Sequence, residues 1–239
     1  MNLALDFGNT RIKAGLFDKD RILQSEIFYS AEELLGSQIV KKANQCIVCS
    51  VTEMHGQAMT LLKDSMKVHL FMPTTPVPLK NRYSSALTLG SDRLAAAVGG
   101  FALYPGRNVL TIDAGTCIKY NFVNDLNEYL GGAISPGIPM RLKAMNQFTS
   151  RLPLVDLVSH SKLVGSNTAE SLLTGAVVAS ACEIDGMISR YNEAYKDVVV
   201  ILTGGDATYL SGQLKNSFFA HQNLLLQGLN TILEFNAGK

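Results

Sequence analysis

The sequence lacks the charge excess that marks proteins that bind nucleic acid or acidic membranes. Its 239 residues carry 21 Lys and Arg against 20 Asp and Glu, which gives a formal net charge of +1. No cluster of basic residues reverses that balance locally, so no field attracts a polyanion. Neither nucleic acid nor a membrane is therefore expected as a partner.

Long apolar runs are also missing. The longest nearly apolar stretch is 175–182, whereas a membrane-spanning helix needs about 20 apolar residues. The first residues form no basic leader, and Asp6 interrupts their apolar run, which argues against secretion. We expect a cytoplasmic protein.

Cysteine and histidine are too few and too scattered for a disulfide framework or a zinc site. The chain has four of each, and only Cys46 and Cys49 form a CxxC pattern. Their surroundings are typical of a strand, in which residues three apart point to opposite faces and cannot share one metal ion. The sequence therefore predicts two buried cysteines in a reducing compartment.

Two familiar nucleotide-binding motifs are absent, but another pattern occurs twice. There is no GxxxxGK[ST], and no GxGxxG follows a strand. Instead an apolar run, an Asp, a Gly, a Thr and a Lys recur with a small change of spacing, as Asp6, Gly8, Thr10 and Lys13 and again as Asp113, Gly115, Thr116 and Lys119. The two Asp residues are 107 positions apart (113 minus 6), about the length of a small domain. The repeat predicts two related halves, 1–106 and 107–239.

The repeated segment has the chemistry of a phosphate site. Apolar residues alternate on both sides of the Gly-Asn-Thr turn, which predicts a β-hairpin. A Gly-rich turn lets backbone N–H groups approach an anion, and Asn9, Thr10 and Lys13 add donors. Asp6 could hold a hydrated cation against the phosphate oxygens. A plain hairpin is the alternative for one copy, but two copies favour phosphate binding.

The rest of the pattern alternates strands and helices, which predicts an α/β fold of two similar halves. Helices are predicted over 30–43, 53–66 and 91–104, and residues 129–148 are expected to run from a Gly-rich loop into a helix. A long helix is predicted over 169–195, with an apolar arc too broad for one core contact. Its second side could face another subunit or the core of the same monomer.

The segment around Asp92 allows two interpretations. Ser91 is a good N-cap, and an Asp in the first turn favours the helix dipole. Alternatively Asp92 orients and deprotonates a substrate hydroxyl, the one positioned base that phosphoryl transfer needs. Arg93 could then anchor a carboxylate. From this segment alone the capping role is favoured.

Four segments together resemble the type III pantothenate kinases, which catalyse the first step of coenzyme A synthesis. These are DFGNTRIK, NRYSSALTLGSDR, IDAGTCIKYN with GGAISPGIPMR, and GSNTAESLLTG, and ILTGGDA near the end also fits. The family belongs to the actin, sugar-kinase and Hsp70 superfamily. The resemblance thus implies two actin-like (ribonuclease H-like) halves with ATP bound in the cleft between them.

The resemblance also implies site residues, cofactors and an assembly. The ATP phosphates would contact a set made up of Asp6, Phe7, Gly8, Asn9, Thr10, Arg11, Ile12, Lys13 and Thr116. Pantothenate would contact a second set, Tyr83, Gly90, Ser91, Asp92, Arg93 and Thr168. Asp92 would be the general base, and Asp113 would help bind K⁺ or NH₄⁺. Mg²⁺ would accompany ATP, and the protein would be a homodimer that shares its pantothenate pocket across the interface.

Two positions depart from the family pattern, and two other functions stay open. Asn121 stands where many relatives carry Asp, and Lys119 stands where they often have a small polar residue. The alternatives are a superfamily kinase that acts on another small molecule and a non-catalytic, nucleotide-binding regulator.

Overall fold

The computed structural model describes residues 1–8, 10–50 and 56–237. The strands are β1 (Asn2–Phe7), β2 (Ile12–Asp18), β3 (Arg21–Phe28), β4 (Gln45–Ser50), β5 (Lys67–Leu70), β6 (Lys80–Asn81), β7 (Val109–Ala114), β8 (Cys117–Val123), β9 (Glu128–Pro136), β10 (Val199–Thr203) and β11 (Phe219–Ala220). The helices are α1 (Ala31–Gly36), α2 (Gln38–Lys41), α3 (Gly56–Ser65), α4 (Ser91–Leu103), α5 (Ile138–Gln147), α6 (Thr168–Leu173), α7 (Ala179–Ala194), α8 (Ala207–Leu210) and α9 (Leu224–Ala237). A 3-10 turn, Ala86–Thr88, precedes α4, and a π turn, Thr174–Val178, joins α6 to α7.

The chain forms two compact units. The first comprises Met1–Gly106, Val123–Leu130 and Asn223–Lys239, and the second comprises Arg107–Phe122 and Gly131–Gln222. Val123–Leu130 and the C-terminal helix follow the boundary expected at residue 106, and they belong to the first unit because their apolar side chains enter its core.

The first unit contains a sheet with the strand order β3-β2-β1-β4-β5. Strands β1 and β2 form the predicted hairpin, with the Cα of Asp6 opposite that of Lys13. Both faces of the sheet are covered, since buried side chains form a core on each side. Cys46 lies in one core and Cys49 in the other. The prediction of two buried cysteines on opposite faces is confirmed.

Helices α4 and α9 pack closely on one face of that sheet. Leu94, Ala95 and Val98 of α4 share a core with Leu226 and Leu229 of α9. Gly228 brings the two backbones together, since a Cβ built there would lie 1.8 Å from the carbonyl oxygen of Ala95. Helix α9 therefore supports α4 along its length.

The second unit has a sheet with the order β11-β10-β7-β8-β9, and β10 runs parallel to both β7 and β11. The helical segment Thr168–Ala194 is 27 residues long and, by length and composition alone, apolar enough to cross a membrane. Leu172, Val177, Ile184 and Ile188 of that segment are buried in the core of this unit. These four residues of the predicted apolar arc are thus buried within one chain.

Several predicted elements differ in detail. The helix predicted over 30–43 is divided at Ser37, whose backbone is extended and whose hydroxyl donates to the Leu34 carbonyl at 2.5 Å. The predicted Gly-rich loop after residue 128 is strand β9. The long helix contains the π turn. The start of the helix predicted from residue 53 lies outside the described residues.

Candidate active site

The first hairpin ends in a closed turn. The Gly8 N–H donates to the Arg11 carbonyl at 3.1 Å, and Thr10 is exposed at the tip. The side chains of Phe7 and Ile12 are buried in the core beneath the turn. These two predicted ATP contacts are therefore available only through their backbones, while their side chains anchor the turn.

The other predicted ATP contacts of this hairpin are Asp6, Lys13 and Asn9. Asp6 and Lys13 are half-buried and stand directly opposite each other on the ladder. Directly opposite residues of an antiparallel pair share one face of the sheet. The carboxylate and the ammonium group are therefore carried on the same side. Asn9 lies outside the described residues.

The second hairpin repeats the first with a shorter turn. The Gly115 N–H donates to the Cys117 carbonyl at 3.1 Å, so Gly115 and Thr116 take the place of the longer turn in the first copy. This difference accounts for the change of spacing seen in the sequence. Thr116 is exposed at the tip. On the strands below it, Lys119 Nζ lies 2.9 Å from Asp113 Oδ2.

Two other segments of the second unit pack against this shorter turn. The Gly137 N–H donates to the Thr116 carbonyl at 3.1 Å, which places the N-terminus of α5 beside the turn. Gly204 has a φ of +99°, and a Cβ there would lie 2.1 Å from the Ala114 carbonyl oxygen. Glycine is therefore required at that close approach. Backbone N–H groups and a helix N-terminus around one turn are an arrangement that favours an anion.

A polar network in the second unit centres on Glu183 and was not predicted from the sequence pattern. Its Oε1 accepts hydrogen bonds from Tyr120 Oη at 3.0 Å and from Ser135 Oγ at 2.5 Å, and its Oε2 pairs with Arg141. Burial alone would raise the pKa of Glu183, but the donors Ser135, Arg141 and Tyr120 hold that pKa below its ordinary value. Burial, with the Glu183 charge, raises the pKa of Tyr120. The network joins β8, β9, α5 and α7.

Asp92 lies in the first turn of α4 and is half-buried. The N-cap of this helix is Gly90 rather than the predicted Ser91, which is the first helical residue. Asp92 Oδ1 accepts the backbone N–H of Arg93 at 2.9 Å. The carboxylate therefore supports the helix start and is also held in a fixed orientation.

Tyr83 and Arg93 form one packed group in the first unit. The Arg93 guanidinium lies over the Tyr83 ring, 5.6 Å from its centroid, and Tyr83 packs on Tyr129 with ring centroids 6.2 Å apart. The Tyr83 N–H also donates to Asn81 Oδ1 at 2.9 Å. Arg93 is only 5% exposed. The structure thus brings Tyr83 together with Arg93, the last residue of the Gly90–Arg93 segment.

Comparison with known proteins decides the family. The family model described as type III pantothenate kinase matches residues 2–190. A protein from Christiangramia forsetii named type III pantothenate kinase is 41% identical over 240 residues, which cover 99% of each chain. The chain belongs to the type III pantothenate kinase family. The resemblance derived from the motifs is confirmed.

Solved structures share the fold of this chain. A Campylobacter jejuni protein that carries the name of a Baf family transcriptional activator superposes with a TM-score of 0.67 at 20% identity, over 99% of this chain and 100% of that one. A ROK hexokinase from Thermus thermophilus gives 0.53 at 18% identity, over 98% and 99%. The predicted actin-like α/β fold is therefore confirmed.

Thr168 is the one implied pantothenate contact outside the group of Tyr83 and the Gly90–Arg93 segment. Thr168 is the exposed first residue of α6, and the N-cap before it is Asn167, whose side chain accepts the Glu170 N–H at 3.0 Å. Thr168 belongs to the second unit, whereas Tyr83 and the Gly90–Arg93 segment belong to the first. Within residues 1–8, 10–50 and 56–237, no three metal-ligating side chains cluster.

Proposed function

We propose that this protein phosphorylates the primary hydroxyl of pantothenate with ATP, the first step of coenzyme A biosynthesis. The observation that carries the proposal is the fixed carboxylate of Asp92 at the start of α4, beside the packed pair of Arg93 and Tyr83. A positioned base next to a cationic and aromatic group suits an acceptor with a hydroxyl and a carboxylate. Family membership supplies the substrate.

The hairpin turns supply the phosphate contacts in this proposal. The donors to phosphate oxygens are the hydroxyls of Thr10 and Thr116 and the ammonium of Lys13, while the Gly8 and Gly115 N–H groups close the two turns. Most of the work of phosphoryl transfer is positioning and charge stabilisation rather than covalent chemistry. A turn whose flanking residues Phe7 and Ile12 are anchored in a buried core suits that requirement.

A divalent cation fits the first hairpin only as a partner of the nucleotide. Mg²⁺ is commonly held by one or two carboxylates together with substrate phosphates and water. The half-buried carboxylate of Asp6 at the end of β1 suits that role, and the described part of the chain offers no complete cage. When bound, Mg²⁺ neutralises charge on the phosphate oxygens.

Asp92 is the general base in this mechanism. Its carboxylate accepts the proton of the pantothenate hydroxyl while that oxygen forms a bond to the γ-phosphorus, and the bond to the ADP oxygen breaks. The hydrogen bond from the Arg93 N–H to Oδ1 fixes the direction in which the carboxylate points. Arg93 and Tyr83 hold the acceptor in place.

The test is ADP release with purified protein, Mg²⁺ and ATP, with pantothenate present or absent. Asp92→Asn should lower kcat by about 10²–10⁴-fold, the range for removal of a general base, with pantothenate binding nearly unchanged. Asp64→Asn, at an exposed position of α3, is the matched control and should keep wild-type kcat. Loss of the helix-start contact costs only about 1 kcal/mol, so the variant should fold.

Two results would reject the proposal. Turnover of a sugar without pantothenate-dependent ADP release would indicate another small-molecule kinase. ATP binding without any turnover would favour a nucleotide-binding regulator. Wild-type kcat in Asp92→Asn would leave Asp92 with a structural role alone.

We also propose a cytoplasmic homodimer. The support is family resemblance and the segment between α5 and α6, in which Phe148, Leu163 and Val164 are 81%, 75% and 80% exposed. Large apolar side chains that are left exposed to water favour an interaction site, and a two-fold dimer is the commonest assembly.

A further inference from the structure

The second hairpin carries a cation of its own at the position where the resemblance implied a monovalent metal ion. Lys119 Nζ lies 2.9 Å from Asp113 Oδ2, and the two side chains are 20% and 19% exposed. A K⁺ or NH₄⁺ ion that bound the same carboxylate would lie beside the Lys119 ammonium and be repelled by it. The residues present therefore do not fit a free monovalent cation.

We infer that the Lys119 ammonium takes the place of that cation, so that catalysis here is independent of K⁺ and NH₄⁺. The inference rests on the proposed kinase function. A lysine ammonium is a compact charge with three N–H donors, which is an ammonium ion with one hydrogen replaced by carbon. Its attachment to β8 keeps its effective concentration beside Asp113 high at any salt composition.

The surroundings of the pair show why a fixed charge at this place is useful. Asp113 and Lys119 flank the Gly115–Thr116 turn, and the N-terminus of α5 lies against the same turn through the Gly137 N–H. A positive charge beneath an anion-binding turn favours a phosphate group. Partial burial weakens the screening of that charge by salt.

The first hairpin places a lysine at the same ladder position, since Lys13 stands directly opposite Asp6. The inference rests on the second hairpin, where the contact between Lys119 Nζ and Asp113 Oδ2 puts the ammonium group on the carboxylate that would bind the cation. In the second copy the Lys119 side chain provides the positive charge that a cation from solution would otherwise provide.

The experiment compares initial rates in tetramethylammonium, potassium and ammonium chloride at one ionic strength. Wild-type kcat/KM should change by no more than about twofold, the size of general salt effects on exposed charges. Lys119→Ala should lose at least about tenfold in tetramethylammonium, since a charge-assisted contact is gone. Potassium or ammonium should restore much of that loss. Lys143→Ala, an exposed lysine of α5, should match the wild type in every salt.

Melting temperature gives a second readout that does not depend on turnover. An ion that binds the folded state raises its melting temperature, so K⁺ should stabilise Lys119→Ala more than the wild type or Lys143→Ala. Activation of the wild type by K⁺ of more than about tenfold would overturn the inference, and so would a variant that K⁺ neither activates nor stabilises. If Lys119→Ala fails to fold, the wild-type salt series alone decides. Absence of pantothenate turnover in every salt would instead reject the kinase proposal, while the melting arm would still report on the cation.

Discussion

Replacement of Gly228 by Ala tests how closely α9 holds α4 and, through α4, the start of the pantothenate segment. The added Cβ would lie 1.8 Å from the Ala95 carbonyl oxygen, whereas ordinary contact begins at 3.4 Å, so the helices must separate by about 1.6 Å. The obstacle is backbone, which cannot turn away as a side chain can. Overpacking of this kind costs about 1–3 kcal/mol.

Thermal unfolding followed by circular dichroism measures that cost. For a chain of this length about 1–3 kcal/mol corresponds to roughly 2–12 °C in melting temperature. The matched control is Gly36→Ala at the exposed end of α1, where a new Cβ meets nothing within 4 Å. A compatible Gly-to-Ala change stabilises by about 0.4–1 kcal/mol through the unfolded state, so this control should melt at or slightly above the wild type.

Activity should report the same displacement. Because α4 begins with the Ser91–Arg93 segment, its movement should lower kcat/KM for pantothenate more than kcat/KM for ATP. A Gly228→Ala protein that melts like the Gly36→Ala control, with unchanged kinetics, would refute the close contact and the supporting role given to α9.

Two further predictions concern the second unit. Hydrogen-bond donors hold the pKa of Glu183 below the ordinary value of 4.5, so the stability that Glu183 contributes should be fully present above pH 4.5 and be lost as pH falls through the lower pKa of the folded state. The difference in unfolding free energy between wild type and Glu183→Gln should therefore shrink in acid. A difference that grew in acid would contradict this. Light scattering should give the mass of a dimer for the wild type and a lower mass for Phe148→Glu or Val164→Glu. The control Leu126→Glu, at an exposed leucine of the first unit, should keep the dimer mass. A monomer with full activity would reject the dimer.

The hairpins were predictable from sequence because their signals are local. Alternating apolar residues and the Gly turns determine β1, β2, β7 and β8, and a repeat of the same residue types pointed to phosphate. The identity of the Asp92 segment came from family resemblance, since its local pattern favoured a cap. The structure assigns that cap to Gly90.

The missed features depend on residues distant in the chain. Glu183 meets Tyr120, Ser135 and Arg141 from three other elements, and no spacing rule connects them. Strand β9 resembled a loop because its glycines are poor strand formers, and sheet pairing overrides that preference. The Gly-Ser pair at residues 36 and 37 was an available signal for the break between α1 and α2.

The first unit is built from segments that lie far apart in the chain, which affects the order in which the protein can fold during synthesis. Its last segment, Asn223–Lys239, supplies α9, which covers α4. The ribosome releases that segment after every residue of the second unit, and domains fold as units. The second unit can therefore fold first, while residues 1–106 cannot complete their core until Asn223–Lys239 has been synthesised. Helix α4, with Asp92 at its start, is then among the last parts to reach its native position, and a nascent chain truncated before α9 should be a substrate for proteases.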